Sequence, residues 1–90
     1  MHSIFLTDNE SKPLISQVER HFPPNTLKIV DICDDTLYSI IANVDNLYVD
    51  DVLFTNSEFN GILLFACANN INIFSIDQNV KIDEYKYEKS

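Results

Sequence analysis

Residues 50–68 read DDVLFTNSEFNGILLFACA, and the fold turns on how this stretch is divided. Two acids, Asp50 and Asp51, lead into a short apolar block, Val52-Leu53-Phe54. A polar turn, Thr55-Asn56-Ser57, separates that block from an apolar, helix-like segment holding the chain's one glycine, Gly61. The pattern predicts a buried strand over residues 51–55 feeding a buried helix. Ser57 is placed to cap that helix, and Glu58 to favour its dipole. Phe59, Ile62, Leu63 and Ala66 form its core stripe. Leu64, Phe65 and Cys67 carry apolar surface nearly all round, so the helix should be deeply buried or meet a partner. An alternative stays open, in which Leu47-Tyr48-Val49 and Val52-Leu53-Phe54 are two strands joined by an Asp50-Asp51 turn. Asp-Asp is a poorer hairpin turn than Asp-Gly, which favours the single strand.

Upstream, residues 3–7 (SIFLT) form a first strand bounded by Asp8-Asn9. Ser11 can cap a helix over residues 12–22, with Pro13 in its first turn, where a missing N–H is harmless. Leu14, Ile15, Val18 and Phe22 fall at helical spacing, and Pro23-Pro24 stop the run. Residues 27–33 (LKIVDIC) read as a second strand, with Asp31 arguing that it is not buried along its whole length. Asp34-Asp35 then cap a short helix carrying Leu37, Ile40, Ile41 and Val44. Downstream, Asn69-Asn70 suit a left-handed helix stop. Residues 71–76 (INIFSI) form a fourth strand, and residues 80–87 alternate weakly and are charged, like an edge strand or a tail.

The order is β-α-β-α-β-α-β with a weak fifth strand. Strands alternating with helices imply parallel pairing through right-handed crossovers. The expected architecture is one α/β domain over residues 1–90. It is a small three-layer sandwich of flavodoxin-like kind, with a mainly parallel sheet of four or five strands.

The formal net charge is −8. Between Lys28 and Lys81 there is no Lys, Arg or His, yet that span holds eight acids, Asp31, Asp34, Asp35, Asp45, Asp50, Asp51, Glu58 and Asp77. Such a surface repels phosphate backbones and anionic membranes, and it suits a basic protein partner. No apolar run approaches the ~18–20 residues needed to span a bilayer. The first residues lack the basic and long apolar regions of a signal peptide. Two cysteines, Cys33 and Cys67, lack metal-type spacing and suit reduced core thiols in a cytoplasmic protein, with a disulfide between them open but not signalled.

In a parallel α/β sheet, ligands sit beyond the carboxyl ends of the strands. Those ends carry Asp8 and Asn9, Asp34 and Asp35, residues 55–57, and Asp77. Asp8 with Asp34 or Asp35 could hold a hard cation such as Mg²⁺. The same residues serve equally as caps and turn formers. A single glycine inside a helical pattern excludes a Walker loop and a dinucleotide fingerprint. Cys33, at a strand's carboxyl end, is the candidate reactive thiol, but neither His2 nor His21 is placed to serve it.

Several segments resemble the receiver domain of bacterial response regulators. Residues 4–10, IFLTDNE, look like its first strand and Mg²⁺-binding acids, and residues 29–37, IVDICDDTL, like its second strand and helix start. Residues 51–55 look like the third strand, Asn60-Gly61 like the step before the third helix, and residues 71–76 like the fourth strand, with Ser75 for its hydroxyl. The resemblance implies a truncated, degenerate pseudo-receiver. Its acid pair is reduced to Asp8-Asn9, its phospho-acceptor position falls on Thr55, no strand ends in the usual lysine and the last helix is absent. It implies that phosphotransfer is lost.

The function that follows is a non-catalytic, acidic protein-binding regulator or inhibitor, such as an immunity protein, a phage-type inhibitor or a pseudo-receiver modulator. Its partner-binding residues are Asp34, Asp35, Asp45, Asp50, Asp51, Glu58 and Tyr48. Tyr38, Tyr85 and Tyr87 are further aromatic anchors. The partner is a protein with a basic surface rather than a nucleic acid or a membrane. No catalytic residue, metal or cofactor is assigned. The alternative is a small Mg²⁺-dependent phosphotransfer or hydrolase domain using Asp8, Asp34 and Asp35. A third reading is a homodimer through residues 62–67 or through the edge strand at residues 80–87.

Overall fold

The computed structural model describes residues 3–8, 12–22 and 27–86. Among these residues, five strands and three α-helices follow in the order β1 (Ser3–Thr7), α1 (Lys12–His21), β2 (Lys28–Asp31), α2 (Leu37–Ile41), β3 (Asn46–Asp50), α3 (Phe59–Ala68), β4 (Asn72–Ile76) and β5 (Ile82–Tyr85). A 3-10 helix, Asp51–Thr55, joins β3 to α3. The sheet order is β2-β1-β3-β4-β5. The first four strands are parallel, and β5 returns antiparallel to β4.

The α/β class and the mainly parallel sheet match the sequence reading. The third strand does not. It is Asn46–Asp50, and the block read as a strand, residues 51–55, is the 3-10 helix. The Asp50 carboxylate causes the change, because its Oδ1 accepts the Val52 N–H at 3.3 Å and turns the chain out of the ladder. A 3-10 turn of about three residues also explains why Leu53 is buried while Val52 is exposed and Phe54 lies between.

Alternation along the strands sorts side chains to two faces. Ile4, Leu6, Val30, Leu47, Val49 and Ile73 pack with Leu37 and Ile41 of α2, Leu53, and Phe59, Ile62 and Ala66 of α3. Phe5 and Ile76 pack with Val18 of α1, flanked by half-buried Ile29, Tyr48 and Ile82. One helix therefore covers one face, and two helices with the 3-10 turn cover the other.

Helix ends follow local chemistry. Asn56 Oδ1 accepts the Glu58 N–H at 2.9 Å, so Asn56 rather than Ser57 satisfies an amide at the start of α3. Asn70 adopts the left-handed conformation, φ 58°, at the other end. There the Ile71 N–H bonds the Ala66 carbonyl at 3.1 Å and the Asn70 N–H bonds that of Cys67 at 3.2 Å. This is a Schellman stop, with Ile71 buried against the helix end. The cap assigned to Ser11 lies outside the described residues.

Candidate functional site

Parallel pairing of β2, β1, β3 and β4 brings their carboxyl ends to one rim. On that rim stand Asp8, Asp31, Asp34, Asp35, Asp50, Asp51, Glu58 and Asp77. Asp34, Asp35, Asp51 and Glu58 are exposed. Asp50 is only 1% exposed. Its Oδ2 accepts the Thr7 hydroxyl at 3.2 Å, so this acid holds β1 to β3 and cannot face a partner. That corrects its assignment as a docking residue.

The remaining partner residues are scattered. Asp45 is exposed but precedes β3, at the opposite rim. Tyr48 is half-buried on the α1 face, stacked on Phe74 at 5.0 Å and edge-on to Phe22 at 5.3 Å. Of the other tyrosines, Tyr38 is exposed, and Tyr85 is half-buried against Phe54. Tyr87 lies outside the described residues. The fold therefore gathers Asp34, Asp35, Asp51 and Glu58, and separates Asp45 and Tyr48 from them. The apolar block read as a dimer face is partly internal, since Ile62 and Ala66 are buried in the core of their own chain.

The rim acids have local duties. Asp34 Oδ1 accepts the Thr36 N–H at 2.8 Å and its hydroxyl at 2.7 Å. These bonds hold the Asp34 carboxyl below its usual range, with a smaller contribution from Lys28. Asp31 Oδ1 accepts the Cys33 N–H at 2.6 Å, and Asp31 Oδ2 is buried with no hydrogen-bond partner among the described residues. Asp51 is pushed up by desolvation and by the Asp50 and Asp77 carboxylates. Cys33 is exposed, yet its thiol is pushed up by desolvation and then by Asp31, Glu58 and Asp8. A thiol held protonated is a poor nucleophile, so the rim disfavours the chemistry considered for Cys33.

No group of three or more His, Cys, Asp or Glu side chains is arranged to hold a metal ion among the described residues. Asp34, one of the acids considered for Mg²⁺, is engaged as a turn former. No described helix is long and apolar enough to cross a membrane. Nothing in the apolar pattern of residues 59–68 sets Leu64 apart from its neighbours. Leu64 is 72% exposed on a helix whose composition reads as buried all round. Comparisons of the chain with protein-family models, with curated proteins and with solved structures find no match.

Proposed function

We propose that this chain is a non-catalytic, acidic protein-binding module that regulates or inhibits a partner protein by docking on a basic part of its surface. The observation that carries the reading is the gathering of exposed Asp34, Asp35, Asp51 and Glu58 on one rim of a domain with no cationic side chain from residue 29 to 80. A predominantly anionic surface of this kind speeds encounter with a basic partner and fixes its orientation. An immunity protein, a phage-type inhibitor and a pseudo-receiver modulator would all use it. The receiver-like form draws support from the β2-β1-β3-β4 order and from Asp50 at the end of the third strand. The burial of Asp50 and the antiparallel β5 separate it from a working phosphotransfer domain. Two thiols outside any disulfide, one of them exposed, accord with a reducing, cytoplasmic setting.

The test is capture of binding partners from the native host by the tagged protein at low and high salt. A variant carrying Asp34→Asn, Asp35→Asn, Asp51→Asn and Glu58→Gln runs in parallel. Partners held by the native chain at low salt should be lost under both other conditions. Capture that survives high salt and all four substitutions would refute docking through these acids.

A further inference from the structure

Tyr38 of α2 is 49% exposed and Leu64 of α3 is 72% exposed, and they belong to one surface. The Tyr38 ring meets Phe65 edge-on, with centroids 5.1 Å apart. Its hydroxyl reaches over Gly61, 3.2 Å from where a Cβ would stand. Gly61, Leu64, Phe65 and Ala68 lie on one side of α3, at positions i, i+3, i+4 and i+7. Buried Phe59, Ile62 and Ala66 hold α3 to the sheet, and Leu64 is not among the side chains that do so. It is the contiguity of exposed Leu64 and Tyr38, rather than the exposure of either alone, that marks an interaction surface.

Charge is arranged along this seam with a direction. Asp34 and Asp35 precede α2, and Glu58 precedes α3. Both helices connect parallel strands of one sheet and run the same way, so the three acids lie at one end of the seam. At the other end Asp45 is the one acid, and the exposed amides of Asn43 and Asn69 are spent on the helices' own carbonyls. Asn43 Nδ2 bonds the Ser39 carbonyl and Asn69 Nδ2 bonds that of Phe65, each at 2.8 Å. The seam is therefore apolar in the middle, with three acids at one end and the single acid Asp45 at the other.

We infer that the α2–α3 seam docks an amphipathic helix of a partner protein. The helix lays its apolar stripe on Leu64, Tyr38 and Phe65 and carries Lys or Arg over Asp34, Asp35 and Glu58. This inference rests on the protein-binding function above and adds the surface and the chemistry of the partner. A helical occupant suits a seam built from two helices, where side-chain rows interdigitate as ridges and grooves. A second copy of this chain does not suit it. Each copy carries a net charge of −8 and has no Lys, Arg or His in residues 29–80 to meet those acids.

The test uses a labelled peptide of about 18 residues, enough for roughly five helical turns, with leucines on one helical face and lysines on the other. A scrambled isomer of equal composition serves as its control. Binding is read by fluorescence anisotropy to the native chain, to Leu64→Ser, and to the triple variant Asp34→Asn, Asp35→Asn, Glu58→Gln. Thermal unfolding reports the fold of each variant, and light scattering reports the oligomeric state. The amphipathic peptide should bind a monomeric native chain, and Leu64→Ser should weaken it about tenfold. The scrambled isomer should lose a similar factor. The inference is overturned if both peptides bind alike, if Leu64→Ser changes nothing, or if the free chain is a dimer that Leu64→Ser dissociates. Equal binding of both peptides, lost together in the triple variant, would sink the seam and leave acidic docking standing. Undiminished binding to the triple variant would sink acidic docking itself.

Discussion

Thr7 donates its hydroxyl hydrogen to the Asp50 carboxylate, Oγ1 to Oδ2 at 3.2 Å, across the join between β1 and β3. Both side chains are almost wholly buried, at 2% and 1% exposure. Removing the donor leaves a buried carboxylate oxygen short of a partner, and Thr7→Val should cost about 1–3 kcal/mol. Thr7→Ser keeps the hydroxyl and should cost less. Asp50→Asn keeps an acceptor for the Val52 N–H and should be milder than Asp50→Ala. Urea unfolding of the four variants, with unchanged slope, checks the ranking.

The helix α3 has one face that holds the domain together and one that does not. Phe59 is fully buried, and Phe59→Ala should cost about 3–5 kcal/mol. Leu64→Ser should fall within about 0.5 kcal/mol of the native chain. A large loss at Leu64 in thermal unfolding would mean that it packs inside its own chain, and the docking argument would lose its foundation.

Asn70 holds a left-handed turn at φ 58°. Glycine enters that region without a Cβ clash, whereas alanine pays about 1 kcal/mol. Asn70→Gly should be neutral or stabilising, and Asn70→Ala destabilising by about that amount, in equilibrium unfolding.

Val80 shares the left-handed backbone, also at φ 58°, which is unfavourable for a β-branched residue. It closes the loop from β4 to β5, where the Asp77 N–H bonds the Lys81 carbonyl at 3.1 Å. Its side chain packs on the α1 face of the sheet, which accounts for an apolar residue there. Asn tolerates this backbone better than alanine does. Val80→Asn should therefore be more stable than Val80→Ala by about 0.5–1 kcal/mol.

Asp34 gives a pH signature. Its carboxyl is held below the ordinary range by the two bonds from Thr36. A depressed folded value contributes stability above the unfolded carboxylate pKa, and that contribution is lost as pH falls through the folded value. Thr36→Val removes the hydroxyl bond, the larger cause, so the Asp34 titration should move up toward that of a free aspartate. Carboxyl-carbon NMR titration checks the direction.

The periodic elements were legible. The bounds of β1, and the existence of α1, α3 and β4, follow from apolar spacing and from the turn residues beside it. The third strand was not, because Val52-Leu53-Phe54 imitates a buried strand while Asn46–Asp50 carries a polar residue at each end. Two local signals were available. Leu47, Tyr48 and Val49 are β-formers in alternation, and an aspartate two residues before an amide can turn the chain. The rim acids were legible as a group because parallel pairing collects strand ends. Asp50 was misplaced because formal charge suggests exposure, and only the partner Thr7, far away in sequence, explains its burial. Leu64 was invisible as a site because composition does not say which side of an apolar helix meets the sheet.

The antiparallel return of β5 has a kinetic consequence. Ile76 and Ile82 pair across a short turn, so this pairing closes a small loop and should form within about 1–10 μs. The β1–β3 pairing joins residues 43 apart in sequence, as in the contact of Ser3 with Asn46, and must wait for a long loop to close. The nearest nucleus thus lies in the last third of the domain. In a chain emerging from the ribosome, the edge of β3 that β4 covers stays open until β4 has been made, and that edge is open to misassembly until then.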